Sequence, residues 1–219
     1  MGHTIAEKIL ARAAGLGTVH AGQEIEVKPD YVIAYDFPGY TDVIFKQMEE
    51  EFGIRKVAEP ERFALFIDHM VPAVAPHEEE LHQNTRDWGA KNNVPVYERM
   101  GIGHQVAAEL GYATPGAFAV HFDGHISQLG TYGTLAIGVR RHLLEAFVKE
   151  HIKLKVPHTT RVNLDGALRP GVTARDVFHH IVRVIGPSGC RFNVLELGGT
   201  TIADMTLEGR QTITCLAMF

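Results

Sequence analysis

The chain alternates short, almost wholly apolar runs with segments whose apolar residues recur every three or four positions. "YVIAYDF" (Tyr31 to Phe37), "RFALFID" (Arg62 to Asp68) and "GAFAVHFD" (Gly116 to Asp123) are of the first kind. They predict strands buried on both faces. The helical spacing begins at once: Thr4 and Glu7 fit a capping box ahead of Ile5, Ile9 and Leu10, and Gly15 suits a C-terminal stop. Further helices are predicted over Thr41 to Phe52, over the polar "EEELHQNTRDWGAKNN" with Trp88 as its anchor, and over "HQVAAELG", which opens near His104. "VPVYE" reads as a weaker strand, and Gly130 to Glu150 as containing a long helix. Continuous apolar strands separated by helices argue for an α/β fold in three layers, a parallel sheet covered on both sides.

After "VPHTT" the rhythm changes. "RVNLDGAL" looks like a strand, Thr173 to Gly186 like a capped helix and "FNVLELGG" like another strand. The change divides the chain into an α/β domain over 1–155 and the start of a second α/β subdomain over 156–219.

Composition narrows the function classes. Of 219 residues, 45% are hydrophobic and 21% charged, which is ordinary globular usage. A net charge of −5 gives no electrostatic reason to expect nucleic acid. No apolar run approaches the ~18 residues that span a bilayer, and the opening lacks a signal-peptide core. Two cysteines, Cys190 and Cys215, imply no disulfide framework, and their separation is not metal-ligand spacing. A soluble, cytoplasmic protein is expected. The 13 histidines favour acid–base or metal chemistry without locating it. His77 and His82, in "PHEEELHQ", are expected at the surface.

Three predicted strands end in acidic residues: Asp36, then Asp68–His69, then Asp123–Gly124–His125. In open parallel sheets, ligands bind outside the carboxyl ends of the strands. These residues should therefore meet in one crevice, and His104 joins them from a glycine-rich helix entry. Carboxylate–imidazole pairs suit general acid–base work near neutral pH. Asp36 has two readings of equal weight, a site carboxylate or the N-cap of the next helix. A single Asp–His pair is most often a salt-bridged loop, but two at equivalent strand ends point to a site. Gly130 and Gly133 lack the pattern of a phosphate loop.

Those residues also carry a family resemblance. "MGHTIAEKILARAAG", "FIDHMVPA", "GIGHQVAAELGYATPGAFAVHFDGHISQLGTYGTLAIGV", "LDGALRPGVTARDVFHHIVRVIG" and "MTLEGRQTIT" resemble the amino-terminal half of the aconitase superfamily. The similarity is to 3-isopropylmalate dehydratase large subunits in particular. The resemblance implies a hydro-lyase or isomerase of amino-acid biosynthesis that acts on a hydroxy-acid. A [4Fe–4S] cluster would serve as Lewis acid, and cluster-bearing and swivelling domains or subunits would be partners. It implies that Asp68 and His69 protonate the departing hydroxyl. His104 and Asp123 form a second pair, and His125 supplies the third imidazole. Tyr35 and Asp36 fall where the family has a polar, substrate-facing pair, although the residue types differ.

Departures accompany the match. Gly124 stands where the family has a serine expected to touch substrate carboxylate or cluster ligand. Phe219 falls at the position of a glutamate that pairs with the third histidine. The cluster cysteines and the domain carrying the base and a carboxylate-binding arginine lie in segments that these residues do not match. Thiolates hold such clusters, and two unmatched cysteines cannot. Three readings follow. The chain is one part of an aconitase-type dehydratase, or a truncated or degenerate paralogue that binds a small carboxylate or a partner without catalysis. The third is a hydrolase with a mononuclear metal among Asp68, His69, His104, Asp123 and His125. A sheet surface meant for other domains would favour self-association or a partner.

Overall fold

The computed structural model describes residues 2–139 and 142–217. Helix α1 (Ile5–Ala13) starts at the expected capping box: the Thr4 hydroxyl accepts from the Glu7 N–H, and Glu7 accepts from the Thr4 N–H at 2.9 Å. Gly15, in left-handed backbone (φ 66°), follows its end. Strand β1 (Glu24–Val27) and the first predicted strand, β2 (Tyr31–Tyr35), come next, followed by α2 (Thr41–Glu50). Then come β3 (Phe63–Ile67), α3 (Pro76–Asn92), β4 (Val96–Glu98), α4 (Gly103–Glu109) and β5 (Phe118–His121).

The five-stranded sheet has the order β4-β3-β2-β5-β6, where β6 is Leu135–Gly138, and all neighbours run parallel. The chain winds outward from β2 through β3 and β4, then returns to the other side of β2 with β5 and β6. The switch point therefore lies between β2 and β5, where a crevice opens beyond the strand ends. β3 and β5 are buried along their whole length, as their continuous apolar runs require. Phe63, Phe66 and Phe118 lie in the resulting core, and Phe45 stacks on Trp88 at 4.2 Å between ring centres.

One predicted helix is corrected. Within Gly130 to Glu150 the structure has the end of a 3₁₀ helix (His125–Tyr132), then β6, then only a short α5 (Leu143–Lys149). Gly133, at φ 77°, terminates the 3₁₀ helix, and the four-residue run "LAIG" pairs with β5 instead of coiling. Arg140 and Arg141, within that predicted helix, lie outside the described residues.

β7 (Ile152–Lys155) pairs antiparallel with β1. β8 (Thr159–Asn163) and β9 (Val194–Gly198) form a parallel pair, flanked by α6 (Ala174–Ile185), α7 (Thr200–Asp204) and α8 (Leu207–Leu216). A second, small core of Val177, Phe178, Ile181 and Ile213 joins α6 to α8. No helix among the described residues is long and apolar enough to cross a membrane.

Replacing Thr4 by alanine removes an N-cap acceptor and is expected to cost about 1 kcal/mol. Urea unfolding would read this as a lowered midpoint with unchanged slope; an unmoved midpoint would show that α1 is held by packing alone.

Candidate active site

The site is assembled around Asp36, the residue that leaves β2. Its side chain is 0% exposed, and its two oxygens take four donors. Oδ1 accepts from the N–H groups of Asp68 (2.8 Å) and His69 (2.9 Å). Oδ2 accepts from Met70 N–H (2.9 Å) and lies 2.9 Å from His82 Nε2. The turn that follows β3 is thus tied to β2 through one carboxylate. The N-cap reading of Asp36 fails, because α2 starts from Tyr40 without a side-chain cap. Of the two residues expected to face substrate, Asp36 has its oxygens taken up by the protein and Tyr35 is buried beneath the site. The Tyr35 ring lies 5.2 Å from that of His69. Burial first, then the charges of Asp68 and Asp123, push the Tyr35 hydroxyl well above its usual range.

His82, expected at the surface, is 3% exposed. The polar look of α3 hides its inner stripe: Leu81, His82, Thr85, Gly89 and Asn92 recur at helical spacing and all are buried.

The tethered turn presents His69 between two carboxylates. Its Nδ1 lies 2.7 Å from Asp68 Oδ1, and its Nε2 lies 3.3 Å from Asp123 Oδ2. The hydrogen bonds it donates to Asp123 and then Asp68 raise the imidazole to about 10, so both ring nitrogens carry protons at neutral pH. For Asp123, burial opposes ionisation, but His69 and the His125 N–H outweigh it and hold the carboxyl down at about 2. Asp68 is oriented by a second bond, from the Gly103 N–H at the start of α4. Gly103 has no room for a side chain, since a Cβ there would lie 2.5 Å from the Tyr35 ring and 2.9 Å from Asp68 Oδ2.

Asp123 Oδ1 accepts from His125 N–H at 2.8 Å, fixing the start of the 3₁₀ helix. His104, at the second position of α4, lies nearly parallel to His125, with ring centres 5.7 Å apart. Burial lowers His104 below the usual imidazole range. Asp68, His69, His104, Asp123 and His125, together with Ile102, line one open pocket of about 210 Å³. Ile102, 61% exposed, is its apolar wall and carries no signal in the sequence beyond preceding "GH". Gly124 adopts right-handed backbone (φ −72°, ψ −43°) that any residue accepts, so the lost serine hydroxyl is not enforced by the turn.

Asp36, Asp68 and His69 bring donor atoms within 4.8 Å of one another, a spacing that a metal ion can bridge. Here the three already satisfy each other and the backbone. A [4Fe–4S] cluster does not fit the residues of this chain. The chain has two cysteines, Cys190 after α6 and Cys215 on α8, fewer than such a cluster takes, and burial, then Asp123, raises the Cys215 thiol away from thiolate. Phe219, which the resemblance sets at the position of a family glutamate, lies outside the described residues.

The family model for aconitase (aconitate hydratase) matches residues 7–218. The chain belongs to the aconitase family. It is 34% identical to the 3-isopropylmalate dehydratase large subunit of Moorella thermoacetica over 100% of this chain and 52% of that protein. Similarity to the corresponding subunit of Aquifex aeolicus is also 34%, over 100% of this chain and 50% of the relative. A probable methanogen homoaconitase large subunit of Methanothermobacter thermautotrophicus is 32% identical over 97% and 50%. The chain spans about half the length of the curated relatives it matches.

The clamp has a pH signature. Because His69 is raised, its contribution to stability is full below 6.5 and is lost as pH climbs through about 10. That of Asp123 is present above 3.8 and lost as pH falls through about 2. His121, buried on β5 and depressed to about 4 by burial, acts oppositely: stability falls as pH drops below 6.5. Nitrogen-15 NMR of the histidine rings should show His69 doubly protonated at pH 8, and Asp123→Asn should return its midpoint toward 6.5. A neutral His69 ring at pH 8 would contradict the clamp. Gly103→Ala, which drives a methyl into Asp68, should lower that midpoint as well.

Proposed function

We propose that this chain forms the substrate-side half of an aconitase-type hydro-lyase, of the 3-isopropylmalate dehydratase kind, that removes water from a hydroxy-acid. The supporting observation is the doubly held His69 cation at the mouth of the pocket. Its Nε2–H, on the longer of the two carboxylate bonds, is the proton offered to a ligand. When the C–O bond of the substrate breaks, the departing hydroxide takes that proton and leaves as water. A base contributed from outside these residues removes the proton from the neighbouring carbon, and the electron pair becomes the C=C bond. An acid at about 10 remains far stronger than water, so the transfer to hydroxide is downhill. Asp68 and Asp123 then stabilise the imidazole for reprotonation, while His104 and His125 face the substrate carboxylate.

The chemistry needs more than this chain holds. The [4Fe–4S] cluster and the swivelling portion are supplied by further polypeptide, on the same or a companion chain. That the relatives are named large subunits supports a smaller companion subunit. The Ile102 wall favours a substrate with an alkyl branch over one with a third carboxylate.

Reconstituted anaerobically with the completing polypeptide and iron, the protein should dehydrate an alkyl-branched hydroxy-acid. His69→Asn should lower kcat by about 10²–10⁴-fold with an unchanged circular dichroism spectrum. Undiminished turnover in His69→Asn would overturn the assignment. Stabilisation by a dicarboxylate with no turnover in the reconstituted wild type would instead establish a carboxylate-binding protein.

A further inference from the structure

The 3₁₀ helix that carries His125 is eight residues long. Such helices have poor hydrogen-bond geometry and are uncommon beyond three or four residues, so this one needs external support. Ile126 and Leu129 anchor one side of it in the main core. Its other side is clasped by polar side chains from two further elements. The Gln105 carbonyl, on α4 next to His104, accepts from the Gln128 amide of the 3₁₀ helix at 2.9 Å and from the Gln211 amide of α8 at 3.3 Å. Gln211 donates also to the Tyr132 hydroxyl at 2.7 Å. The Gln105 NH₂ group is spent on Glu109 (2.9 Å), which fixes the direction of its carbonyl. One turn along α8, the Thr214 hydroxyl meets that of Thr131 at 2.7 Å, and the Ser127 hydroxyl donates to the Thr214 carbonyl at 2.7 Å.

We propose that α8 is a positioning element for the site: through Gln211 and Thr214 it holds the 3₁₀ helix against α4 and so sets His125 parallel to His104. The three amides come from three elements, and their only common atom is one carbonyl oxygen. His104 precedes Gln105 directly, and His125 lies three residues before Gln128 on the same 3₁₀ helix. Ile213, between the two clasping residues, is buried in the second core against Val177, Phe178 and Ile181. That small core anchors α8, and the clasps of Gln211 and Thr214 reach from it to the 3₁₀ helix. Gln211 and Thr214 are not catalytic residues; they act through His104 and His125. The importance of that pair rests on the proposed hydro-lyase reading, but its geometry does not.

The test therefore uses this chain alone. Histidine-ring NMR is compared between wild type and the Gln211→Leu/Thr214→Val double variant, which removes the side-chain bonds of Gln211 and Thr214 without emptying volume and keeps the Ser127 bond to the Thr214 main-chain carbonyl. The His104 and His125 ring signals should move well beyond linewidth, and the His104 midpoint should rise toward 6.5 as water reaches it. The His69 signals, held by Asp68 and Asp123, should stay in place. Val177→Ala is the control: it weakens the second core but leaves the clasps, and should lower Tm while leaving both imidazoles unmoved. Unchanged His104 and His125 signals in the double variant would overturn the proposal, as would equal shifts in Val177→Ala. If the double variant fails to fold, Gln211→Leu alone carries the same comparison. Shifted imidazoles alongside an inactive reconstituted wild type would refute the hydro-lyase reading and leave the positioning role standing.

Discussion

A carboxylate buried with four hydrogen-bond donors holds this site together. Taking a charge out of water costs several kcal/mol unless its lone pairs are satisfied, and Asp36 is satisfied by three consecutive N–H groups and His82. Those three N–H groups belong to the turn just beyond β3, where the parallel ladder has ended and sheet partners have run out. The same carboxylate thus completes the backbone hydrogen bonding of the turn and aims Asp68 and His69 across the switch point. His82, reaching in from α3, locks the carboxylate from the helix layer.

From that tie the rest follows in sequence. Once the turn is fixed, His69 lies between Asp68 on its own strand end and Asp123 on the end of β5, and the double carboxylate contact keeps the ring cationic. Asp123 then orders the first residue of the 3₁₀ helix, and Gly103 lets α4 approach until its N–H reaches Asp68. Each group is oriented by the one before it. The pocket is therefore a preorganised arrangement of one cation, two carboxylates and two further imidazoles, held in place before any ligand arrives.

Much of this was legible in the sequence. The strand ends announce themselves because a strand buried on both faces must be a continuous apolar run, and the first charged residue after it marks the edge of the sheet. Hence the sequence alone places Asp68, His69 and Asp123 at strand ends. His104 was legible from the glycine entry to its helix. Asp36 was ambiguous because an aspartate after a strand serves equally as cap or tie, and the deciding partner, His82, sits 46 residues away in a helix that looks solvated. β6 falls inside a predicted helix because four apolar residues have no resolvable period. β1 and β7 pair through four residues each, and only their long-range contact makes them strands. Gln105, Gln128 and Gln211 left no trace, since an amide knot depends on three-dimensional convergence and not on spacing.

The central claim is that Asp36 organises the site as a structural anion without meeting the ligand. The most direct measurement is a structure of Asp36→Asn together with the histidine-ring titration of the same protein. An amide offers one acceptor oxygen where the carboxylate offers two. The account predicts a folded sheet, a displaced turn at 68–70 and a His69 midpoint falling from about 10 toward 6.5. An unmoved turn with His69 still doubly protonated at pH 8 would contradict it.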